Sequence, residues 1–398
     1  MVYRVDSGTW NEVDIKTAKR EGSLIDVQAF DDNHAYAITD QALFSYNEEW
    51  TQVFNPGEAF ERNEIIESFN ILDPQHIWVI SRSYEEDYES TYHIYFYNGH
   101  SYETQLEFES DCSILPISTN EVWAWSGSDI FFFDGSNWSN QYHADSKIRM
   151  IKARGKSAWA IGDPDIYGLT NSRIYFFDGT EWQKKGDVSA SLTCFQLETD
   201  SVLWAGGMRD FVDPDKTTHS EAFVFKFDAD SSDFDSDKKG QALFSLWDWL
   251  PQIKLQKNFG KSDAKEGTAL PEGQKIMDLA VIDSNDAWCI TVNKDGSSSL
   301  LRFDGESWNK VESAETTYAP QSSIYALDSS HIWVTRLLED SPRNNGLGCP
   351  QGVIEFYNGV ELTKQFEIDE RIVSIAMPSR TRLWACTPDK MFTTELQE

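Results

Sequence analysis

Short apolar runs of four or five residues alternate with polar turns along nearly the whole chain, and two phrases recur in that alternation. The first ends an aromatic run in Asp-Gly or Asn-Gly, followed by two residues and usually another aromatic. It is found at Phe131-Phe132-Phe133-Asp134-Gly135 to Trp138, Tyr175-Phe176-Phe177-Asp178-Gly179 to Trp182 and Leu301-Arg302-Phe303-Asp304-Gly305 to Trp308. Weaker copies run from Tyr95 to Tyr102 and from Glu355 to Leu362, and Tyr3 to Trp10 carries a variant at the N-terminus. The second phrase is an apolar strand carrying a Trp before a small or branched residue, at Trp78, Trp123, Trp159, Trp204, Trp288, Trp333 and Trp384, with Tyr36 as an eighth copy. Before each comes another apolar run and a turn of Asp, Ser, Asn or Pro, such as Asp73-Pro74-Gln75 or Asp283-Ser284-Asn285.

One unit therefore reads as four short strands: a first apolar strand, a Trp strand, an aromatic strand and an outer strand. Asp-Gly suits a two-residue hairpin, whose central positions favour positive φ. Counted on the sequence, most Trp-to-Trp intervals are 36 to 51 residues, the span of four-stranded propeller blades. The pattern predicts an all-β chain, a single β-propeller domain over residues 1–398 made of four-stranded antiparallel blades. Eight Trp-strand copies imply eight blades, with seven as the alternative if the first copy is irregular. The last copy lacks an outer strand and the N-terminus supplies strands without a Trp strand, so the N-terminal strand is expected to close the C-terminal blade. The large rings on the second strands are read as packing between blades, with ligand stacking as the other use.

Composition narrows the function. No apolar stretch is long enough to span a bilayer, and the N-terminal residues have no signal-peptide profile, so a cytoplasmic location with no membrane contact is expected. Five cysteines without ligand or disulfide spacing read as reduced thiols, Cys194, Cys289 and Cys386 on inner strands. The formal net charge of −32 disfavours nucleic acid and favours a basic partner, while also keeping a monomer soluble.

The repeat is interrupted where the Trp strand connects to the aromatic strand, and these connections are expected to emerge on one face. Four are long. They carry Tyr84, Glu85, Glu86, Asp87 and Tyr88; Asp163, Asp165 and Tyr167; Arg209, Asp210, Phe211 and Asp213; and Arg336 and Arg343. Tyrosines, carboxylates and arginines in this blend are what protein interfaces use, so these residues are the candidate partner-binding set, the alternative being tolerated loop variation. Residues 229–274 form a further insertion, including Trp247 and Trp249, where the Trp interval is 84 residues. Its run from Asp228 to Asp237 does not fit an EF-hand loop. No nucleophile elbow, zinc-protease motif or phosphate loop is present, so no catalytic, cofactor or metal residues are assigned.

The repeat resembles aromatic-rich bacterial propeller repeats related to the Kelch and BNR groups. Leu203-Trp204-Ala205-Gly206-Gly207 is its most Kelch-like piece, whereas the sialidase Asp box is not reproduced. The resemblance implies the fold and transfers no catalytic residue. The expected function is a non-enzymatic, acidic binding protein for a basic protein partner, of the kind a toxin-neutralising immunity protein or inhibitor would be. Carbohydrate binding or glycoside hydrolysis is the alternative.

Overall fold

A computed structural model describes residues 2–5, 8–13, 22–60, 64–84, 90–163, 172–188, 190–212, 218–230, 268–270, 273–311, 317–338, 351–377 and 382–396. Eight antiparallel sheets in chain order give the fold of an eight-bladed β-propeller, so the count of eight holds over the alternative of seven. Blades 1 to 7 span residues 24–54, 64–108, 112–143, 148–188, 191–269, 275–311 and 317–368, and each has four strands. The eighth is closed from both ends of the chain: Ser374–Ala376, Arg382–Cys386 and Met391–Leu396 are continued by Gly8–Val13 and then Val2–Val5. The joint is an unbroken antiparallel register from Gly8↔Leu396 through Trp10↔Thr394 to Val13↔Met391.

The chain divides into two compact units, one of Met1–His143 with Ser330–Glu398 and one of Ala144–Ser329. Within each unit the Trp rings seat against the following blade. In the first, Trp78 packs on Ile114, Val122 and Ala124 of blade 3, and Trp384 on Leu24, Val27, Ala35 and Phe44 of blade 1. In the second, Trp159 meets Phe195, Leu203 and Ala205 of blade 5, and Trp204 meets Ala287, Cys289 and Leu301 of blade 6. Flat rings on a twisted sheet fill the wedge left between two sheets, so the tryptophans are core. Cys194, Cys289 and Cys386 are buried free thiols, and burial pushes that of Cys194 up to about 12, which leaves it unreactive.

The Asp-Gly turns differ from the expected two-residue hairpins. Phe133 pairs with Trp138, so Asp134 to Asn137 form a four-residue loop, and of Asp134 and Gly135 only the glycine has positive φ, at 90°. The Asp134 carboxylate makes the turn by accepting the N–H of Ser136 at 2.9 Å and of Asn137 at 2.8 Å. Asp178, Asp304, Asn98 and Asn358 each accept the corresponding pair of N–H groups. An Asx side chain satisfies two turn amides at once, so the longer loop wins over the two-residue hairpin.

Backbone N–H donation holds the carboxyls of Asp134 and Asp304 below the ordinary value, and the Thr180 hydroxyl followed by two amides does so for Asp178. A carboxyl with a lower pKa folded than unfolded adds stability above the unfolded value, and that stability is lost as pH falls through the folded one. Replacing all three by Asn, which already serves at Asn98 and Asn358, should keep the turns and remove this dependence. Thermal melts across the acid range should show the variant losing less than the parent below about pH 4. Identical acid profiles would mean that the charge is immaterial to these turns.

Candidate binding hairpins

The third residue after each Trp-strand aromatic lies at or near the hairpin end of the second strand. It is Thr39, Ser81, Ser126, Gly162, Gly207, Thr291, Arg336 and Thr387 in blades 1 to 8. All five hydroxyls are buried, and three bond to groups from the segment that opens the first strand of a blade. Ser81 Oγ donates to Glu64 Oε2 at 2.6 Å, Thr387 Oγ to Glu370 Oε2 at 2.6 Å, and Ser126 Oγ to the carbonyls of Ser110 and Asp111 at 3.2 Å. Gly207 is bare because a Cβ there would lie 2.3 Å from the Ser191 carbonyl oxygen.

Third-strand tyrosines reinforce these bases. Tyr95 OH donates to both oxygens of Glu64, at 3.0 and 2.9 Å. In blade 4, Tyr175 OH reaches Ser146 at 2.9 Å and bonds Asp145. Burial alone would raise the Asp145 carboxyl, but hydrogen bonds from Tyr175 and Lys184 and the charges of Lys184 and Arg173 bring it below the ordinary value. Burial and the same Asp145 contact push the Tyr175 phenol up. The hairpin bases of blades 2 and 4 are thus cross-linked by side-chain hydrogen bonds.

Blade 2 also holds Ser83, His93 and Glu107 in sequence, with Ser83 Oγ 3.3 Å from His93 Nε2 and His93 Nδ1 3.4 Å from Glu107 Oε1. The order resembles a nucleophile, base and carboxylate. However, Ser83 and His93 are buried, and Ser83 Oγ also lies 3.3 Å from the Thr91 carbonyl of the neighbouring strand. Ser83 Oγ thus bonds across the strands of its own sheet.

Of the expected contact residues, Phe211 is a strand position paired with His219. Glu85, Glu86, Asp87, Tyr88, Asp165, Tyr167, Asp213 and Arg343 lie outside the described residues. Tyr84 ends the second strand of blade 2 and is 44% exposed. The Arg82 guanidinium lies 4.8 Å from the Tyr84 ring centroid and 5.8 Å from that of Tyr92, and it pairs with Glu67 at 2.8 Å. Asp163 is held beside Arg149, at 3.4 Å. Arg209 stacks over Phe223 and Phe225, at 4.7 and 5.3 Å, and Asp210 accepts a hydrogen bond from Ser220 Oγ.

Arg336 departs from the expected exposed position: it is 2% exposed and bonds Glu355 through Nε at 2.6 Å and through Nη2. It takes the place of the buried hydroxyl, one strand across from its carboxylate. The residues 206–222, expected as a loop, are largely strand. Val202–Val212 and Thr218–Asp228 pair without interruption out to Val212↔Thr218. The hydroxyl three residues after the Trp is the signal that would have located these bases in the sequence.

Blades 4 and 5 adjoin in one unit, linked at Ser172. Ser172, which opens the third strand of blade 4, donates its N–H to Ala190 C=O at 2.9 Å, and its Oγ accepts the N–H of Leu192 at 2.9 Å. Among the described residues no cluster of His, Cys, Asp or Glu is placed to hold a metal ion, and no helix is long and apolar enough to cross a membrane.

No protein-family model matches the chain, and no curated protein matches it. Among solved structures it is similar to the WD40 domain of SCAP from fission yeast, at 9% identity and a TM-score of 0.51 over 100% of this chain and 97% of that one. It is also similar to the tricorn protease, at 10% identity and a TM-score of 0.49 over 97% of this chain and 36% of that one. YCF48 bound to a D1 peptide matches at 10% identity and a TM-score of 0.47 over 100% and 99%. At such identities the likeness concerns the fold alone. This is a β-propeller, and the matches do not single out the Kelch or BNR groups.

Proposed function

We propose that this chain is a non-enzymatic binding protein that takes a basic protein partner through the hairpins joining its second and third strands, as an inhibitor or immunity protein neutralising a basic toxin would. The observation that carries this reading is the exposed Tyr84 ring at the end of a paired strand, stacked with Arg82 beside Glu67. An aromatic with a neighbouring arginine on a preorganised element is the composition of interface anchors. The net charge of −32 would steer a cationic protein toward it. The cysteines described are free, which suits action in a reducing cytoplasm.

The test is to recover what co-purifies from the native host and measure its association with the pure chain. The retained protein should be basic, and its association rate should fall steeply between low and physiological salt. Tyr84→Ala should weaken binding by about tenfold, as loss of an interface aromatic does, with little change in melting temperature. Retention of sugars or of no basic protein, or a salt-independent rate, would overturn the proposal. A drop in stability equal to the loss of binding would make Tyr84 a structural ring.

A further inference from the structure

The blade 5 hairpin extends beyond the sheet that carries it. Its first-strand neighbour, Ser191–Leu197, pairs with the second strand only as far as Ser191↔Met208. Four further pairs follow in the hairpin: Arg209↔Glu221, Asp210↔Ser220, Phe211↔His219 and Val212↔Thr218. They form a two-stranded ribbon, a structure of marginal stability by itself in water.

The hydrogen-bond phase of the ribbon follows from two contacts at its root. Ala229 N–H donates to Ser201 C=O at 2.8 Å, and Glu198 N–H to Val202 C=O at 2.9 Å. Main-chain groups alternate sides along an antiparallel strand. The odd-numbered residues therefore bond toward Thr218–Asp228 and the even-numbered ones toward Ser191–Leu197. Thr193 Oγ bonding to Gly206 C=O fits this phase. Beyond Met208 the next even-numbered residues are Asp210 and Val212. Their N–H and C=O groups face an edge on which no described residue pairs. The opposite edge is served by this chain itself, since Leu270 N–H donates to Ala222 C=O at 3.2 Å and Ala222 N–H to Gly273 C=O at 3.1 Å.

We propose that a basic segment of the partner, in extended conformation, adds as a strand to the edge of the blade 5 hairpin at Asp210 and Val212. The inference rests on the protein-binding reading above and specifies its mode. Strand addition supplies main-chain hydrogen bonds for affinity and alternate side chains for specificity. Charge selects the occupant. The chain carries a net charge of −32, and Asp210 itself lies on this edge strand. A lysine- or arginine-bearing strand would therefore be drawn to this chain, whereas an acidic one would be repelled.

The probe is a short synthetic peptide alternating Lys with Val and Thr, presented to the full chain, alongside versions with alternate amides N-methylated and with Glu replacing Lys. The Lys peptide should bind and slow amide exchange around Asp210. N-methylation of the pairing edge, and Asp210→Pro in the protein, should each weaken binding by about tenfold or more. Proline removes an outward N–H and leaves the ladder to the third strand intact. The peptide arm needs no mutation, so it remains decisive if the proline variant misfolds. Binding that ignores both changes would overturn strand addition while leaving an acidic protein-binding surface in place. Absence of binding by the Lys peptide would also overturn it. Concentration-dependent dimerisation abolished by Asp210→Pro would assign the edge to a second copy of this chain and overturn the choice of a basic partner. Loss of the proposed function itself is read separately, from the co-purification and salt experiments.

Discussion

Trp384→Ala is expected to destabilise the chain by about 3–5 kcal/mol, the range for truncating a fully buried large aromatic. Trp384 lies on the strand Arg382–Cys386 of the closing blade, between Ser374–Ala376 and Met391–Leu396, and is completely buried. Its ring meets Tyr46 edge-on at 4.8 Å and Trp50 at 5.9 Å, so one side chain fills the seam between blades 8 and 1. Its indole nitrogen has no hydrogen-bond partner among the described residues. The expected loss is therefore one of packing and cavity formation, and Trp384→Phe should recover part of it. Denaturant unfolding of both variants measures the difference. A loss for Trp384→Ala no larger than that for Trp138→Ala, a half-exposed outer-strand ring, would show that the seam is not closed by this residue.

Glu355→Leu should cost a comparable amount, about 3–5 kcal/mol, because it strands a buried guanidinium. Arg336 and Glu355 are both almost wholly buried, and the carboxylate accepts from Nε and Nη2 of the same guanidinium. The attraction between them offsets the cost of taking two charges out of water, so removing one leaves that cost unopposed. The reverse substitution, Arg336→Met, should be similarly damaging. Arg336→Met combined with Glu355→Leu should recover most of the loss, since an apolar pair has no desolvation cost to offset. A double-mutant cycle in denaturant gives the coupling directly. Additive losses in the double variant would mean that the two side chains stabilise the hairpin through other neighbours.

The second-strand aromatics and the Asp-Gly phrases were legible because each blade repeats the same local problem. A strand with one large ring and a small residue beside it can bury that ring only against another sheet, so the pattern carries the fold in every copy. The incomplete strands at Gly8–Val13 and Met391–Leu396 were legible for the same reason, as each lacked the neighbour that the other supplies. The turn geometry was not. Asp-Gly is compatible with a two-residue hairpin and with the longer Asx turn found, and the choice depends on which amides the carboxylate of Asp134 can reach.

Candidate contact residues were legible as a set of insertions but not in their roles. Tyr84, Arg209 and Arg336 all sit in long second-to-third-strand connections. Yet Tyr84 is exposed, Arg209 stacks on Phe223 and Phe225, and Arg336 is buried against Glu355. The sequence does not show which carboxylate faces each guanidinium, because Arg336 and Glu355 lie nineteen positions apart and meet only through strand pairing.

By itself the sequence determined an all-β chain of four-stranded blades, its closure from both ends, and an acidic character. These follow from local periodicity and composition, which do not depend on neighbours. Only the tertiary structure decided which charges are buried, that there are eight blades and not seven, and that Val202–Val212 and Thr218–Asp228 pair out to Val212↔Thr218, past the last described pair with the first strand at Ser191↔Met208. Those outcomes are set by which strands pair and where a neighbouring strand stops, and no single strand's sequence records that.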